Sequence, residues 1–292
     1  MKFGNLAKAI ACIFAPLPAF AQLPLTVDQS IVNLGELQLD LSLAYANTTT
    51  DQLLIGQPIY VQTGPTSFVE LPSLLGTASI DSDAIVSTIQ LRTGISANLE
   101  AYVRGSYANT WQRSMVQETP VKFSQSGPVD TWMGIGYKAQ QDAEGPGIFL
   151  FSEVAAYEKI NFEHVSLNSA LVGGTIFKAV DPAVFSVTAS YRRGRNTTVN
   201  DQRYRPGSLI HVQTMLGLAM NEQVSVSLGT QWINSTPSTF ENRPRDVRRT
   251  RTDLLLGVTY GFKAGDWIGF SILSNISGQY GSQLKLNWST PI

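Results

Sequence analysis

The chain has a single cysteine, Cys12, and none beyond it. A disulfide framework is therefore excluded, even though the chain carries an export leader. Lys2 and Lys8 precede an apolar run from Ala9 to Phe20 that ends Ala19-Phe20-Ala21, which is the layout of a secretory signal peptide over 1–21 with Gln22 as the mature start. A lipid on Cys12 fits poorly, because Lys8 would interrupt the short apolar stretch such a site needs. After the leader no run reaches the ~18 apolar residues of a membrane helix, so a helical span is excluded. Charge is scarce as well: Asp, Glu, Lys and Arg make up 15% of the chain. Of 21 basic residues two lie in the leader, leaving 19 against 22 acidic ones, and this mild −3 offers no field for nucleic acid.

Histidine is limited to His164 and His211. His164-Val165-Ser166 beside Glu163 has adjacent parity at a loop edge, and His211 has Ser208 only on the opposite parity, so neither assembles a hydrolase triad. Metal-ligand spacing of Cys and His and a phosphate-cradling glycine loop are both missing. A non-enzymatic protein without cofactor or metal is expected.

What the chain does have is alternation. Leu37, Leu39, Leu41, Leu43 and Tyr45 share one parity, and Gln38, Asp40, Ser42 and Ala44 the other. The same test predicts eleven further strands near 84–95, 98–110, 129–139, 147–157, 166–178, 183–192, 208–220, 223–233, 252–262, 267–276 and 283–289. Twelve strands of about ten residues match the ~9–11 needed to cross a bilayer at a tilt. The strands near 147–157 and 267–276 carry bulky groups on both parities, which points to a bulge. Connections alternate in length: short at Ser96-Ala97, Asp142 to Gly145, Asp181-Pro182, Asn221-Glu222 and Ala264 to Asp266, and mostly long at 48–83, 112–127, 194–207 and 235–251. Such sorting predicts an all-β, transmembrane antiparallel barrel over 36–292 with short periplasmic turns and long extracellular loops, preceded by a lead or small plug over 22–35. Tyr45, Tyr107, Trp111, Tyr191 and Trp232 then form an outer aromatic girdle, and Tyr137, Phe177, Tyr260 and Trp288 an inner one. In the hairpin 171–191, Leu171, Phe177, Phe185, Val187 and Tyr191 are assigned to lipid, and Lys178, Ser186, Thr188 and Ser190 to the lumen. Gly134, Gly136, Gly217, Gly229 and Gly257 fall mostly on the inward parity and leave space there.

LRTGISANLEAYVRGSY (91–107), KAVDPAVFSVTASY (178–191) and PGSLIHVQTMLGLAMNEQVSVSLGTQ (206–231) resemble the outer-membrane family associated with the meta-pathway of phenol degradation. Its relatives include twelve-stranded barrels that secrete functional-amyloid subunits. The matching positions are Gly94, Glu100, Lys178, Asp181, Pro182, Tyr191, Gly207, Asn221, Glu222 and Ser225. The resemblance implies an outer-membrane channel or transporter of a Gram-negative bacterium. It also implies recognition by the barrel-insertion machinery, which would meet Trp288 in place of a terminal aromatic.

Two charge groups are the candidate site. Asp40, Arg92, Glu100, Arg104, Lys138, Lys178 and Lys285 are expected to form a belt in the lumen, either as ion pairs that satisfy one another or as a constriction that filters solutes. Arg192, Arg193, Arg195, Arg203, Arg205, Arg243, Arg245, Arg248, Arg249 and Arg251 stand against Asp201, Glu241, Asp246 and Asp253 at the extracellular mouth, a local +6. Guanidinium groups suit lipopolysaccharide phosphates, attraction of an anionic solute, or a solvated loop face. Tyr102 and Trp132 are expected to point inward. The function expected is passage of a small, hydrophobic or aromatic solute through the lumen. The alternatives are secretion of an unfolded, amyloid-type polypeptide and a plugged structural or adhesive barrel.

Overall fold

The structure, a computed structural model, describes residues 31–50, 59–64, 67–71, 80–116, 119–160, 163–165, 169–199, 202–244, 247–263, 265–277 and 280–292. The leader at 1–21, most of the lead at 22–35, Asp201, Arg245 and Asp246 lie outside them. The strands in chain order are β1 (Leu37–Thr50), β2 (Ile59–Gln62), β3 (Phe68–Leu71), β4 (Ile80–Ser96), β5 (Leu99–Val116), β6 (Thr119–Gln140), β7 (Gly147–Ile160), β8 (Glu163–Val165), β9 (Ser169–Val180), β10 (Ala183–Gly194), β11 (Thr197–Val199), β12 (Gln202–Arg205), β13 (Leu209–Ala219), β14 (Val224–Ser235), β15 (Thr239–Phe240), β16 (Arg243–Pro244), β17 (Arg249–Lys263), β18 (Asp266–Asn275) and β19 (Tyr280–Pro291).

Twelve of these close into one antiparallel barrel in the order β1, β4, β5, β6, β7, β9, β10, β13, β14, β17, β18, β19 and back to β1. The seam is continuous: β1 pairs with β19 from Gln38↔Pro291 to Thr49↔Tyr280. Closure leaves the barrel without a free edge, the condition for a sheet to cross a hydrocarbon layer. The alternation explains the two faces. Leu43, Ile89, Ile135, Ile176, Val187, Leu228, Leu256 and Leu286 are all exposed on the outside, an apolar band too large and continuous for a soluble surface. Tyr45, Tyr107, Trp111, Tyr191 and Trp232 ring one end of it, and Tyr137, Tyr260 and Trp288 the other.

The periplasmic turns are tight and chemically fixed. Asn221 Oδ1 accepts from the amides of Gln223 at 2.9 Å and Val224 at 2.7 Å, closing the β13–β14 turn. Asp181-Pro182 is a two-residue turn with a cis peptide bond.

That turn corrects the expected facing of the hairpin. With Val180 opposite Ala183, Lys178 pairs with the lipid-facing Phe185, and Phe177 with the lumen-facing Ser186. Residues opposite one another share a face. Leu171 and Phe177 are therefore buried inside, Val172, Ile176 and Val180 meet lipid, and Lys178 points outward at the periplasmic rim. Phe185, Val187 and Tyr191 face out as expected.

Three further features shape the lumen. Residues 112–127, expected as a loop, continue β5 and β6 as a hairpin that pairs Gln112 with Phe123 and Val116 with Thr119. In β7 the bulge expected from its mixed parities is present: the register against β6 shifts by one residue, since Thr131 faces Tyr157 but Trp132 faces Ala155. This shift turns Glu158 inward although Phe151, Glu153 and Ala155 below it have the opposite parity. Finally, β2 and β3, within the long connection expected at 48–83, form a hairpin of their own that packs inside the barrel.

Candidate functional site

The lumen wall is built from the inward parity of all twelve barrel strands. Arg92, on β4, lies 2.8 Å from Glu100 on β5 and 3.7 Å from Asp40 on β1. Glu100 also accepts the amide of Val32 at 3.1 Å, so the segment ahead of β1 is drawn into the periplasmic opening. Gly94 permits this approach, because a Cβ there would lie 2.2 Å from the Asn33 carbonyl oxygen. Asp40 also accepts a hydrogen bond from Ser289 across the seam.

A second cluster stands beside the first. Arg104 on β5 lies 2.8 Å from Glu153 on β7 and 4.0 Å from Asp130 on β6, with Arg104 and Glu153 only 1% and 2% exposed. Trp132 lies between two guanidinium groups, Arg104 at 5.1 Å and Arg192 at 5.3 Å from its ring centroid, and donates Nε1–H to Asp130 at 3.0 Å. Arg192 in turn pairs with Glu158. The predicted belt thus contributes Arg104, while Asp130, Glu153 and Glu158 were not anticipated. Glu153 and Glu158 lie on the strand whose two parities both carry bulky groups, which hid their facing. Arg192, expected at the external mouth, is an inward residue of β10 opposite the buried Leu171 and Leu209.

The other belt residues separate. Lys138 is half-buried at the periplasmic end of β6 and makes no ion pair among the described residues. Lys178 is excluded from the lumen by the facing described above; it donates to Asp142 Oδ1 at 2.8 Å and to the Ala143 carbonyl at 2.7 Å in the β6–β7 turn. Partial burial pushes the Asp142 carboxyl up, but Lys178 and the Ala179 amide outweigh it and hold the group below its ordinary value. Lys285 is buried on β19 opposite Ala44, and the seam joins it to the first strand as expected.

Large inward side chains are folded flat against the wall. A Cβ on Gly134 would lie 2.4 Å from the Tyr102 ring, on Gly136 2.6 Å from Phe149, on Gly173 2.4 Å from Phe151 and on Gly147 2.3 Å from Phe177. Each aromatic covers a neighbouring inward glycine, so the ring lines the lumen instead of crossing it. The space predicted at inward glycines is used in this way at Gly134 and Gly136.

The upper lumen is filled by the β2–β3 hairpin. Ile59, Val61, Val69 and Leu71 pack on Ala44, Ala46, Ala84, Val86, Ala108 and Val129, small inward residues of β1, β4, β5 and β6. On the opposite wall Phe68 meets Leu209 and Ile233 and stands edge-on to His211, with ring centroids 4.8 Å apart. Gln62 donates to Gln213 at 3.1 Å, and Gln283 holds the hairpin backbone at Gln62 N and Tyr60 O. Burying one such apolar side chain is worth about 1.5–3 kcal/mol and one hydrogen bond about 0.5–1.5 kcal/mol. The apolar seat dominates, and the hairpin behaves as part of the wall. Below its Thr63–Gly64 tip lies a cavity of about 310 Å³ lined by polar residues and by Tyr102, Phe149, Phe151 and Trp267.

On the extracellular side β11, β12, β15 and β16 form a separate four-stranded sheet. Arg203, Arg205 and Arg243 are exposed on it, and Arg193, Arg195 and Arg248 are exposed nearby. Arg249 is half-buried; Arg251 pairs with Asp253 at 2.8 Å, both turned inward.

Among solved structures the barrel is similar to an outer membrane channel from Pseudomonas putida F1, at 12% identity over 91% of this chain and 98% of that one, with a TM-score of 0.66. More distant are the translocator domain of the autotransporter NalP from Neisseria meningitidis (9% identity, 90% and 91% covered, TM-score 0.49) and the NanC porin (8%, 87% and 100%, TM-score 0.48). No curated protein matches the chain in sequence. Residues 44–285, from the middle of β1 to the middle of β19, match the family described as "Putative MetA-pathway of phenol degradation". This outer-membrane β-barrel belongs to that family.

Proposed function

We propose that the protein is a channel that passes a small, partly aromatic solute through its lumen, by diffusion past the seated β2–β3 hairpin. The observation that carries this is the cavity below the hairpin, where rings folded onto inward glycines keep open a space lined by both aromatic and hydrogen-bonding groups. The paired charges around it, Arg92 with Asp40 and Glu100 and Arg104 with Glu153, supply a fixed transverse field at the level of the cavity. The likeness to the Pseudomonas putida channel agrees with this reading. A polypeptide cargo would have to displace the hairpin from its apolar seat.

The exposed arginines of the extracellular sheet support contact with lipopolysaccharide phosphates, the outer leaflet being their nearest anionic surface. The hairpin, sealed on opposite walls, favours a second reading in which the barrel is structural and carries no flux. Liposome swelling separates the two. Proteoliposomes holding the full chain are expected to swell in an isosmotic solution of a small sugar such as arabinose faster than protein-free liposomes. Equal rates would overturn the channel and favour the sealed barrel.

A further inference from the structure

Five formal charges line the cavity: Asp40, Arg92, Glu100, Glu153 and Lys285. Asp40 and Glu100 share Arg92, a group of net −1, and Glu153 pairs with Arg104. Lys285 is left over. It is 7% exposed, yet makes neither an ion pair nor a hydrogen bond among the described residues. An ammonium removed from water without a partner is costly, and in a cavity wall it favours an anion.

Two hydroxyls on the same cavity are also without partners. Ser42 Oγ and Thr63 Oγ1 are buried and unbonded. Ser42 lies opposite Asn287, one inward step from Lys285 on the same strand, and Thr63 belongs to the hairpin tip that roofs the cavity. A cation and two free donors thus open onto one space. The competing carboxylate on this side, Asp40, is four residues along β1 from the partner of Lys285, about 13 Å at the usual strand rise, and is already engaged by Arg92 and Ser289.

An aromatic face adjoins the cation. Trp267 lies on β18, the strand paired with β19, and its ring covers Gly269, where a Cβ would lie 3.2 Å from Cζ3. Gly269 is opposite Asn287, while Ser271, the next inward residue, is opposite Lys285. The indole therefore covers the wall one inward step from the Lys285 position, and both residues line the cavity. One positive charge with two hydroxyl donors matches a monoanion, and the volume of about 310 Å³ is at the small end of ligand sites.

We propose that the cavity is a binding subsite for a small aromatic carboxylate, with its oxyanion on Lys285, Ser42 and Thr63 and its ring against Trp267. This rests on the reading of the lumen as a solute route and names the class of solute. The test is titration calorimetry of the full chain in detergent micelles with benzoate, and with benzyl alcohol as the uncharged ring. Benzoate is expected to bind, and Lys285→Met to weaken it about tenfold or more while leaving benzyl alcohol unchanged. Lys285→Arg should retain benzoate, which also shows that the position tolerates replacement, and Trp267→Leu should weaken both ligands. Benzoate binding that is equal in wild type and Lys285→Met overturns the subsite, as does no benzoate binding by the wild type. Arabinose swelling of proteoliposomes reconstituted from the same protein separates the two claims: swelling without benzoate binding removes the subsite and leaves the channel, whereas benzoate binding without swelling removes the channel and leaves the subsite.

Discussion

Tyr102 on β5 donates its hydroxyl to Glu153 on β7 at 3.0 Å, although β6 runs between the two strands. The bond exists because residue 134, on the strand in between, has no side chain. Tyr102 lies across Gly134, and a Cβ there would be 2.4 Å from its ring. Gly134→Leu should lift Tyr102 from the wall, break its bond to Glu153 and cost about 1–3 kcal/mol, the usual price of overpacking. The shift in urea midpoint of the protein folded into lipid vesicles measures it. A midpoint unchanged from wild type would mean that the ring does not need the glycine.

Arg104 reaches the same carboxylate over the same strand, and both partners are nearly excluded from solvent. Removing one member of a buried pair strands the other charge, so Glu153→Leu should destabilise by about 3 kcal/mol, with Asp130 at 4.0 Å offering Arg104 only a weaker substitute. The double variant Arg104→Met with Glu153→Leu should lose less than the sum of the single losses. Strict additivity in the same urea measurements would show that the two side chains are not coupled.

At the periplasmic rim Asp142 ties the β6–β7 turn to β9 through Lys178 and the Ala179 amide. Its carboxyl is held below the ordinary value of 3.8. A depressed carboxyl stabilises the folded state above its unfolded pKa, and that contribution is lost as the pH falls through the lower, folded value. The turn should therefore stay protected against hydrogen exchange down to about pH 4 and loosen below it. In Asp142→Asn the acid-dependent part of that loosening should vanish. An identical pH profile in wild type and variant would contradict this role.

Arg203, Arg205 and Arg243 are exposed together on the extracellular sheet, whereas Arg192 and Arg251 are consumed by Glu158 and Asp253 inside the wall. Replacing the first three by Gln should reduce the lipopolysaccharide that co-purifies with the barrel, each lost charge weakening attraction by about 1 kcal/mol near an anionic surface. Replacing Arg251 should not reduce it. Equal lipopolysaccharide content in the triple variant would remove this partner.

Strand number, strand order around the barrel and the sorting of short and long connections were legible in the sequence because each rests on local periodicity. The period is clean in β1, where Leu37 to Tyr45 and Gln38 to Ala44 separate by parity. It fails in LVGGTIFK, where inward Leu171 and Phe177 are as apolar as outward Val172 and Ile176. The two-residue turn at Asp181-Pro182 could have decided the matter, since it forces odd residues of β9 to share a face with even residues of β10. The inward hairpin left a fainter trace. Ala44, Ala46, Ala84 and Ala108 interrupt a polar inward parity with small apolar residues, and IYVQTGPTSFVEL places apolar side chains where a solvated loop has no use for them. Glu153 and Glu158 lie on either side of a one-residue register shift, which the mixed parities of 147–157 announce without locating.

If the lumen is a solute route narrowed by the β2–β3 hairpin, single-channel current in planar bilayers should depend on that hairpin. Wild type should be compared with a variant in which residues 59–71 are replaced by a short Gly-Ser linker. Small conductance events are expected for the wild type and a several-fold larger unitary conductance for the variant. Equal conductance in the two, or no current from either, would contradict that dependence.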